Sequence, residues 1–363
     1  MENHIGKICD TVSGLPIFVG ETALEIYKCL EKRLSRIPDP KEAEKHKNIL
    51  KRLETVNTFK ALQKIKVGEI IITPLFIDHS AFDAYMFIVE ADCKRVLHTG
   101  DFRGHGLRSK VLVPMLKRYA KRIDYIISEG SNIERPDAVS QTEQELRKDF
   151  EKQFKENKYN FVIVSSTNID RIFSLYHAAK NAKRCFVCDT YQTKVLKIVS
   201  ESHKQHTTFF DIDYDQKINV AGRFFMLKRI FKKPFAFAGK LKPYLDKHGF
   251  CMLIRPNESF KPILDEYYKS NETKIYYSMW KGYLDRSNPA CNPTFADFIE
   301  PFKNEYKHTS GHADVKTLGT LFDMLKPKSG IIPIHTEAPE KFKKLFIGHN
   351  IILLQDGHIY DCV

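Results

Sequence analysis

Apolar residues recur along this chain in two alternating rhythms. In the first third, short runs rich in Ile, Val, Phe and Leu predict strands over Ile70–Ile77, Ala84–Ala91, Arg95–Thr99 and Ile123–Ser128. Three-and-four spacing predicts helices around them. Leu24, Tyr27, Leu30 and Leu34 share one face of Glu21–Leu34, Pro38-Asp39-Pro40 breaks that pattern, and a charged helix is expected to about Phe59. A further helix is expected near Val111–Ala120. The rhythm then becomes strand–helix–strand. Strands Asn160–Ser165, Arg184–Cys188, Phe250–Ile254 and Lys274–Ser278 interleave with helices at Glu143–Phe154, from Asn168 and from Tyr191, which predicts a parallel sheet. After Pro301 the first style returns, with helix Asp314–Leu325, strand Gly330–Ile334 and two closing strands, Ile351–Leu354 and His358–Tyr360. The expected class is α/β, with a domain made of 1–135 and 308–363 interrupted by an inserted domain over 136–307.

Composition narrows the class. The 363 residues are 42% hydrophobic and 28% charged, as in a globular protein rather than a disordered tail or a fibre. No apolar run approaches the ~20 residues of a membrane-spanning helix. Met1–Asp10 has no apolar core of signal-peptide length. The expectation is a soluble cytoplasmic protein. Eight cysteines are too sparse for a disulfide scaffold. Cys185 and Cys188, three apart on a predicted strand, would point to opposite faces and read as buried thiols rather than a metal clamp.

Charge changes the picture further. The net charge of +13 favours a polyanionic partner. Between Ala221 and Phe250, Arg223, Lys228, Arg229, Lys232, Lys233, Lys240, Lys242 and Lys247 face a single acid, Asp246, and phenylalanines interleave with them. Two readings stay open: phosphate tracking with base stacking, or a solvated basic face over core phenylalanines.

The candidate chemistry sits at strand ends. Asp78-His79-Ser80, Gly100-Asp101-Phe102-Arg103, Ser128-Glu129-Gly130, Ser310-Gly311-His312-Ala313 and Pro333-Ile334-His335-Thr336-Glu337 mostly follow apolar strands, where rigid backbone aims loop residues into one crevice. His and Asp are zinc-binding types. Ser165-Ser166-Thr167-Asn168 lies at a strand-to-helix turn, either a phosphate cradle or an ordinary helix cap. His98, His105 and His308 read as structural.

The order and text of these five groups resemble the metallo-β-lactamase superfamily, specifically its β-CASP branch of ribonuclease J, cleavage-and-polyadenylation and Artemis-type nucleases. The resemblance runs from about Ile71 to the C-terminus. It implies an αββα sandwich, N-terminally incomplete, carrying an inserted parallel-sheet β-CASP domain. It implies two zinc ions, with manganese as a substitute, that activate water for attack on phosphorus. His79 and Asp101 would hold one ion, and Asp101, His335 and His4 the other. His312 would act on the scissile phosphate or leaving oxygen, oriented by Glu129, with Asp101 in the catalytic set. Arg103, Ser166, Lys232, Lys233 and Trp280 are the expected substrate contacts. Trp280, with Tyr277 and Tyr283, lines or supports a cap over single-stranded RNA. Related enzymes often dimerise, and a homodimer is expected.

The chain departs from the family at its defining His-x-His-x-Asp-His motif. Only Asn3-His4-Ile5-Gly6 remains, so an amide stands where a carboxylate should be. Weak zinc binding and little activity are therefore expected of the chain as written. It would be a fragment of a complete enzyme, the favoured explanation, or a relative that binds nucleic acid without cutting. The function expected is a zinc-dependent nuclease acting on RNA or DNA. The alternatives are a non-catalytic nucleic-acid binder and a small-molecule hydrolase of the same fold.

Overall fold

A computed structural model describes residues 15–137, 140–203, 217–221, 224–227, 241–257 and 260–362. His4, Lys232 and Lys233 lie outside the described residues, as does most of the basic run. The chain divides into two compact units. The first is Met1–Leu24, Ile49–Thr142 and Ser310–Val363, and the second is Glu25–Asn48 and Glu143–Thr309. Residues 25–48, read at the sequence level with the first domain, group with the second.

Strands are numbered in chain order. The first unit holds a small parallel pair, β1 (Phe18–Gly20) with β2 (Asn57–Phe59), and a six-stranded sheet. The order of that sheet is β15 (Gly330–Ile334), β7 (Tyr125–Glu129), β6 (Lys94–His98), β5 (Tyr85–Ala91), β4 (Ile70–Phe76) and β3 (Ile65–Val67). Strand alternation gives the sheet two apolar faces. Met86 and Ile88 of β5 join Leu75, Leu97, Ile126 and Ile331 beneath helices Ser109–Tyr119 and Val315–Leu325, whose Leu116, Leu318 and Phe322 are fully buried. Tyr85 and Phe87, one residue out of phase, pack with Phe59 and Ile65 on the opposite face.

Direction within this sheet decides where chemistry can gather. β6, β7 and β15 are mutually parallel, and β4 and β6 are each antiparallel to β5. The carboxyl ends of β4, β6, β7 and β15 therefore share one edge. Residues 79, 101, 129 and 335 lie at or just past those ends.

Two expectations are corrected here. The helix expected to run to about Phe59 ends at Leu53, and β-branched Thr55 and Val56 lead into β2. The two closing strands do not form: Ile351 makes one parallel bridge to Ile331, and a turn at Gln355–His358 then carries the chain away from the strand partner it would need.

The second unit is built on a seven-stranded sheet. Its order is β10 (Lys217–Ala221), β11 (Phe224–Leu227), β9 (Cys185–Asp189), β12 (Phe250–Ile254), β8 (Tyr159–Ile163), β13 (Thr273–Tyr277) and β14 (Glu305–Tyr306). From β9 to β14 it is parallel, as the strand–helix rhythm predicts, while the β10–β11 hairpin adds an antiparallel edge. Every residue of β8, β9 and β12 is buried, the mark of strands covered on both faces. Cys185 and Cys188 are buried thiols, and burial pushes the Cys185 thiol up to about 12. Arg171 and Glu143, both inaccessible, pair at 2.7 and 3.1 Å, and Arg171 also donates to Ser278 Oγ. That satisfies most of a buried guanidinium's donors, the condition under which interior charge is tolerated. No helix among the described residues is long and apolar enough to cross a membrane.

Candidate metal centre

The shared strand edge of the first unit collects the polar groups. One ligand atom each from Asp101, Glu129, His312 and His335 lies within 4.8 Å of all the others. His335 Nδ1 stands 2.9 Å from Asp101 Oδ1, and His312 Nδ1 stands 2.8 Å from Glu129 Oε2. The His312 ring lies 5.4 Å from that of His335 and 5.5 Å from that of His79. Five residues separated by up to 256 positions in sequence thus occupy one neighbourhood.

The backbone around them is specialised. Gly100, before Asp101, has φ +54, and a Cβ there would stand 2.8 Å from the Tyr85 carbonyl oxygen. Only glycine takes that conformation without strain at so close an approach. His335 itself has φ +50, uncommon for a residue with a Cβ, and this bend turns its ring toward Asp101 as β15 ends.

Glu129 is the organising group. It is 1% exposed, and each carboxylate oxygen accepts two bonds. Oε1 accepts from the backbone N–H groups of Phe102 and Ala313 at 2.9 and 3.2 Å, and Oε2 from Ser131 Oγ and His312 Nδ1 at 2.9 and 2.8 Å. One carboxylate therefore ties the Asp101 turn to the His312 loop and fixes the imidazole tautomer. Burial pulls the His312 pKa down, but the bond to Glu129 and its charge outweigh this, and the net shift is upward.

His79 is prepared differently. Its Nδ1 donates to the Gly311 carbonyl at 2.7 Å, which leaves Nε2 with a lone pair, the state a metal-binding imidazole requires. A Cβ on Gly311 would come within 2.5 Å of Ser80 Oγ, so glycine permits this approach. Burial, and then the neighbouring His312, lower the His79 pKa to about 4. The unfolded chain then binds more protons than the folded one between pH 4 and 6.5, and stability must rise with pH across that window. We expect urea midpoints of the chelator-treated protein to fall as pH is lowered from 6.5 to 4, and His79→Gln to flatten that limb. An equally steep limb in the variant would contradict the assignment.

The expected role of Arg103 is corrected. Its side chain is inaccessible, with Nε 3.0 Å from Asp78 Oδ1 and Nη1 3.4 Å from the Ser310 carbonyl, so it braces the His312 loop from below and cannot meet substrate. His105 Nε2 donates to the same carbonyl at 2.8 Å, a structural role. His98 accepts from the Gly100 N–H and His308 donates to Ser278, also structural. Ser166, 6% exposed, and Trp280, 40% exposed, lie in the second unit. The Trp280 ring meets Tyr283 edge-on, with ring centres 5.4 Å apart.

Ser131 escaped the sequence reading. Its hydroxyl lies 2.9 Å from Glu129, 3.1 Å from His312 and 3.2 Å from His335. Asn132, beside it, reaches Ser310 Oγ and the His312 carbonyl at 3.1 Å. Serine and asparagine are common turn residues, so only their place two and three positions past a strand-end acid could have marked them.

The donor set suits a divalent metal. Two carboxylates and two imidazoles supply O and N ligands of the kind zinc takes, and His79 holds a free ring nitrogen beside them. Asp101 and His335, with His79 beside them, are the residues that could hold such an ion, because the Glu129 carboxylate is already taken up by His312, Ser131 and two backbone amides.

Comparison with known proteins agrees with this chemistry. The family described as "Zn-dependent metallo-hydrolase RNA specificity domain" matches residues 303–352, the segment that carries His312 and His335. The match makes this C-terminal segment similar to the RNA specificity domain of zinc-dependent metallo-hydrolases and spans a small part of the chain. No curated protein matches the chain significantly. Among solved structures, a crystal structure of a protein of unknown function from Enterococcus faecalis V583 aligns over 95% of this chain and 75% of its own, with a TM-score of 0.64 and 17% identity. The two share a fold.

Proposed function

We propose that this chain is a metal-dependent hydrolase of phosphodiester bonds in single-stranded RNA, of the β-CASP branch of the metallo-β-lactamase superfamily. The observation that carries the reading is the convergence of Asp101, Glu129, His312 and His335 at one sheet edge, two of them inside the segment that matches an RNA-specificity family. In this reading the six-stranded sheet belongs to the αββα sandwich and the seven-stranded unit is the β-CASP insertion.

Asp101, His335 and His79 are the proposed ligands, with Glu129 and His312 at the cluster's inner side. A divalent ion held there would supply Lewis acidity and lower the pKa of water at the site. The chain's own contribution is positional. Asp101 orients the His335 ring, and Glu129 holds His312 so that its outer nitrogen can donate a proton or hydrogen bond to a departing oxygen. The net charge of +13 favours the polyanion over a small ester or lactam. Asn3 in place of a carboxylate argues for weak zinc affinity and slow turnover in this sequence. A reducing cytoplasm is the compartment proposed, because eight cysteines are too sparse for a disulfide scaffold.

The test is incubation with a single-stranded RNA in zinc or manganese, beside a chelated sample and small ester and lactam substrates. Metal-dependent RNA cleavage above the small-substrate rates is expected. Binding that weakens steeply with salt, ignores chelator and yields no cleavage would instead establish a non-catalytic RNA binder.

A further inference from the structure

The sheet of the second unit contains a topological switch. The connection from β8 through helix Ile169–Asn181 steps past β12 to reach β9, and that from β12 through helix Lys261–Tyr268 steps past β8 to reach β13. The two crossovers leave the β8–β12 pair in opposite directions. In open α/β sheets, the crevice outside the carboxyl ends at such a point is where ligands bind.

The residues at that edge carry donors that the protein leaves unanswered. Arg255, which follows β12, gives Nη2 to Asp189 at the end of β9, yet its Nε is enclosed without an acceptor. Gln192 is fully buried. Its Oε1 accepts from the Asp189 N–H at 2.9 Å, and its Nε2 is enclosed without an acceptor. Ser166 follows β8, next to β12 in the sheet, and its buried hydroxyl is likewise unpartnered. Nearly all buried polar groups in native proteins are satisfied, so three such donors past adjacent parallel strands point to a missing acceptor.

Charge agrees with that conclusion. The guanidiniums of Arg33 and Arg255 both lie over the Tyr191 ring, 5.1 and 5.2 Å from its centre. Arg33 makes no side-chain hydrogen bond or ion pair among the described residues, so Asp189 is the one carboxylate bonded to this pair of cations. Burial and then the charge of Arg255 push the Arg33 pKa down, the mark of a cation short of counter-charge.

We propose that the carboxyl edge of β8, β12 and β9 binds a phosphate group, held by Arg33, Arg255, Gln192 Nε2 and Ser166 Oγ. A phosphate offers acceptor oxygens on every side and the negative charge that two guanidiniums require. The sequence reading singled out Ser166 at its turn, and the structure adds the two arginines and the buried amide. The site rests on the second unit alone and stands independently of the hydrolase reading.

Calorimetric titration of the full chain with inorganic phosphate and with adenosine monophosphate tests it. Saturable binding is expected for the wild type, with Arg33→Gln and Ser166→Ala each about tenfold weaker at an unchanged melting temperature. His335→Ala should bind as the wild type does, which keeps this result separate from the fate of the hydrolase reading. Tighter binding of the nucleotide would identify a nucleotide phosphate as the ligand, and equal or tighter binding of phosphate a free anion. Absence of saturable binding with both probes, or equal affinity in wild type and Arg33→Gln, overturns the proposal. Arg33 is only partly buried, so its variant remains informative even if Ser166→Ala fails to fold.

Discussion

Replacing His335 with asparagine should lower metal-dependent RNA cleavage by about a thousandfold, to the level of the uncatalysed background, while leaving the melting temperature nearly unchanged. The asymmetry follows from where the residue sits. Its side chain is 55% exposed, so its removal opens little cavity. Its backbone is at φ +50, and asparagine is among the few residues that tolerate this region. What the substitution removes is an imidazole 2.9 Å from Asp101, a proposed ligand of the same ion. Titration with manganese should show correspondingly weaker binding, because one of the three proposed ligands is removed. Alanine at the same position should act alike on activity but cost additional stability through the left-handed backbone. Unchanged cleavage and manganese affinity in His335→Asn would show that the four-residue cluster is a hydrogen-bonded corner rather than a metal centre.

Much of this arrangement was legible because it obeys short-range rules. The strands β4 to β7 and β15 announce themselves through alternation and β-branched residues, and a charged or histidine residue at each carboxyl end is conspicuous against them. Asp101, Glu129, His312 and His335 could be singled out in order, although convergence itself depends on strand direction, which single positions do not encode. The helix at Val315–Leu325 was equally visible, with Asp314 capping the Thr317 N–H at 2.8 Å.

What escaped was set by tertiary partners. Arg103 was expected to contact substrate from the resemblance, yet its guanidinium turns back onto Asp78, and an arginine at 0% exposure meets no substrate. The closing segment Ile351–Leu354 has strand-like residues, but a strand exists only where a neighbour offers hydrogen bonds, and here a single bridge is all that forms. Residues 25–48 read as helices of the first domain, since nothing in their spacing said which of two cores they would join, and they group with the second unit. The unanswered donors of Gln192 and Arg255 were invisible for a related reason: a residue type does not reveal which of its hydrogen bonds the fold leaves unmade.

Glu129→Gln should separate positioning from bulk stability. Glutamine keeps the shape but carries one acceptor oxygen where four donors converge, so its NH2 must face either the Phe102 and Ala313 amides or Ser131 and His312. The NH2 settles toward Ser131 and His312, where the hydroxyl can accept and neutral His312 can accept at Nδ1, so the cost is the charge-assisted part of these bonds, about 1–2 kcal/mol in unfolding free energy. The change in His312 is more diagnostic. Its pKa lies above the usual histidine value because Glu129 outweighs the effect of burial, so loss of the negative charge should lower it. The stability that protonated His312 draws from Glu129 is fully present below the unfolded pKa and is lost as pH rises through the higher folded value. In the variant this alkaline loss should disappear. If His312 gives a proton to the departing oxygen, cleavage falls as pH rises through its pKa, and that falling limb should move to lower pH in Glu129→Gln, with the rate at neutral pH reduced about a hundredfold. Glu129→Asp, which restores the charge on a shorter side chain, should return the limb toward its original position while recovering only part of the rate. An alkaline limb that stays in place in Glu129→Gln, measured alongside the His312 ring resonances by NMR, would remove His312 from proton transfer and leave Glu129 as a staple between two loops.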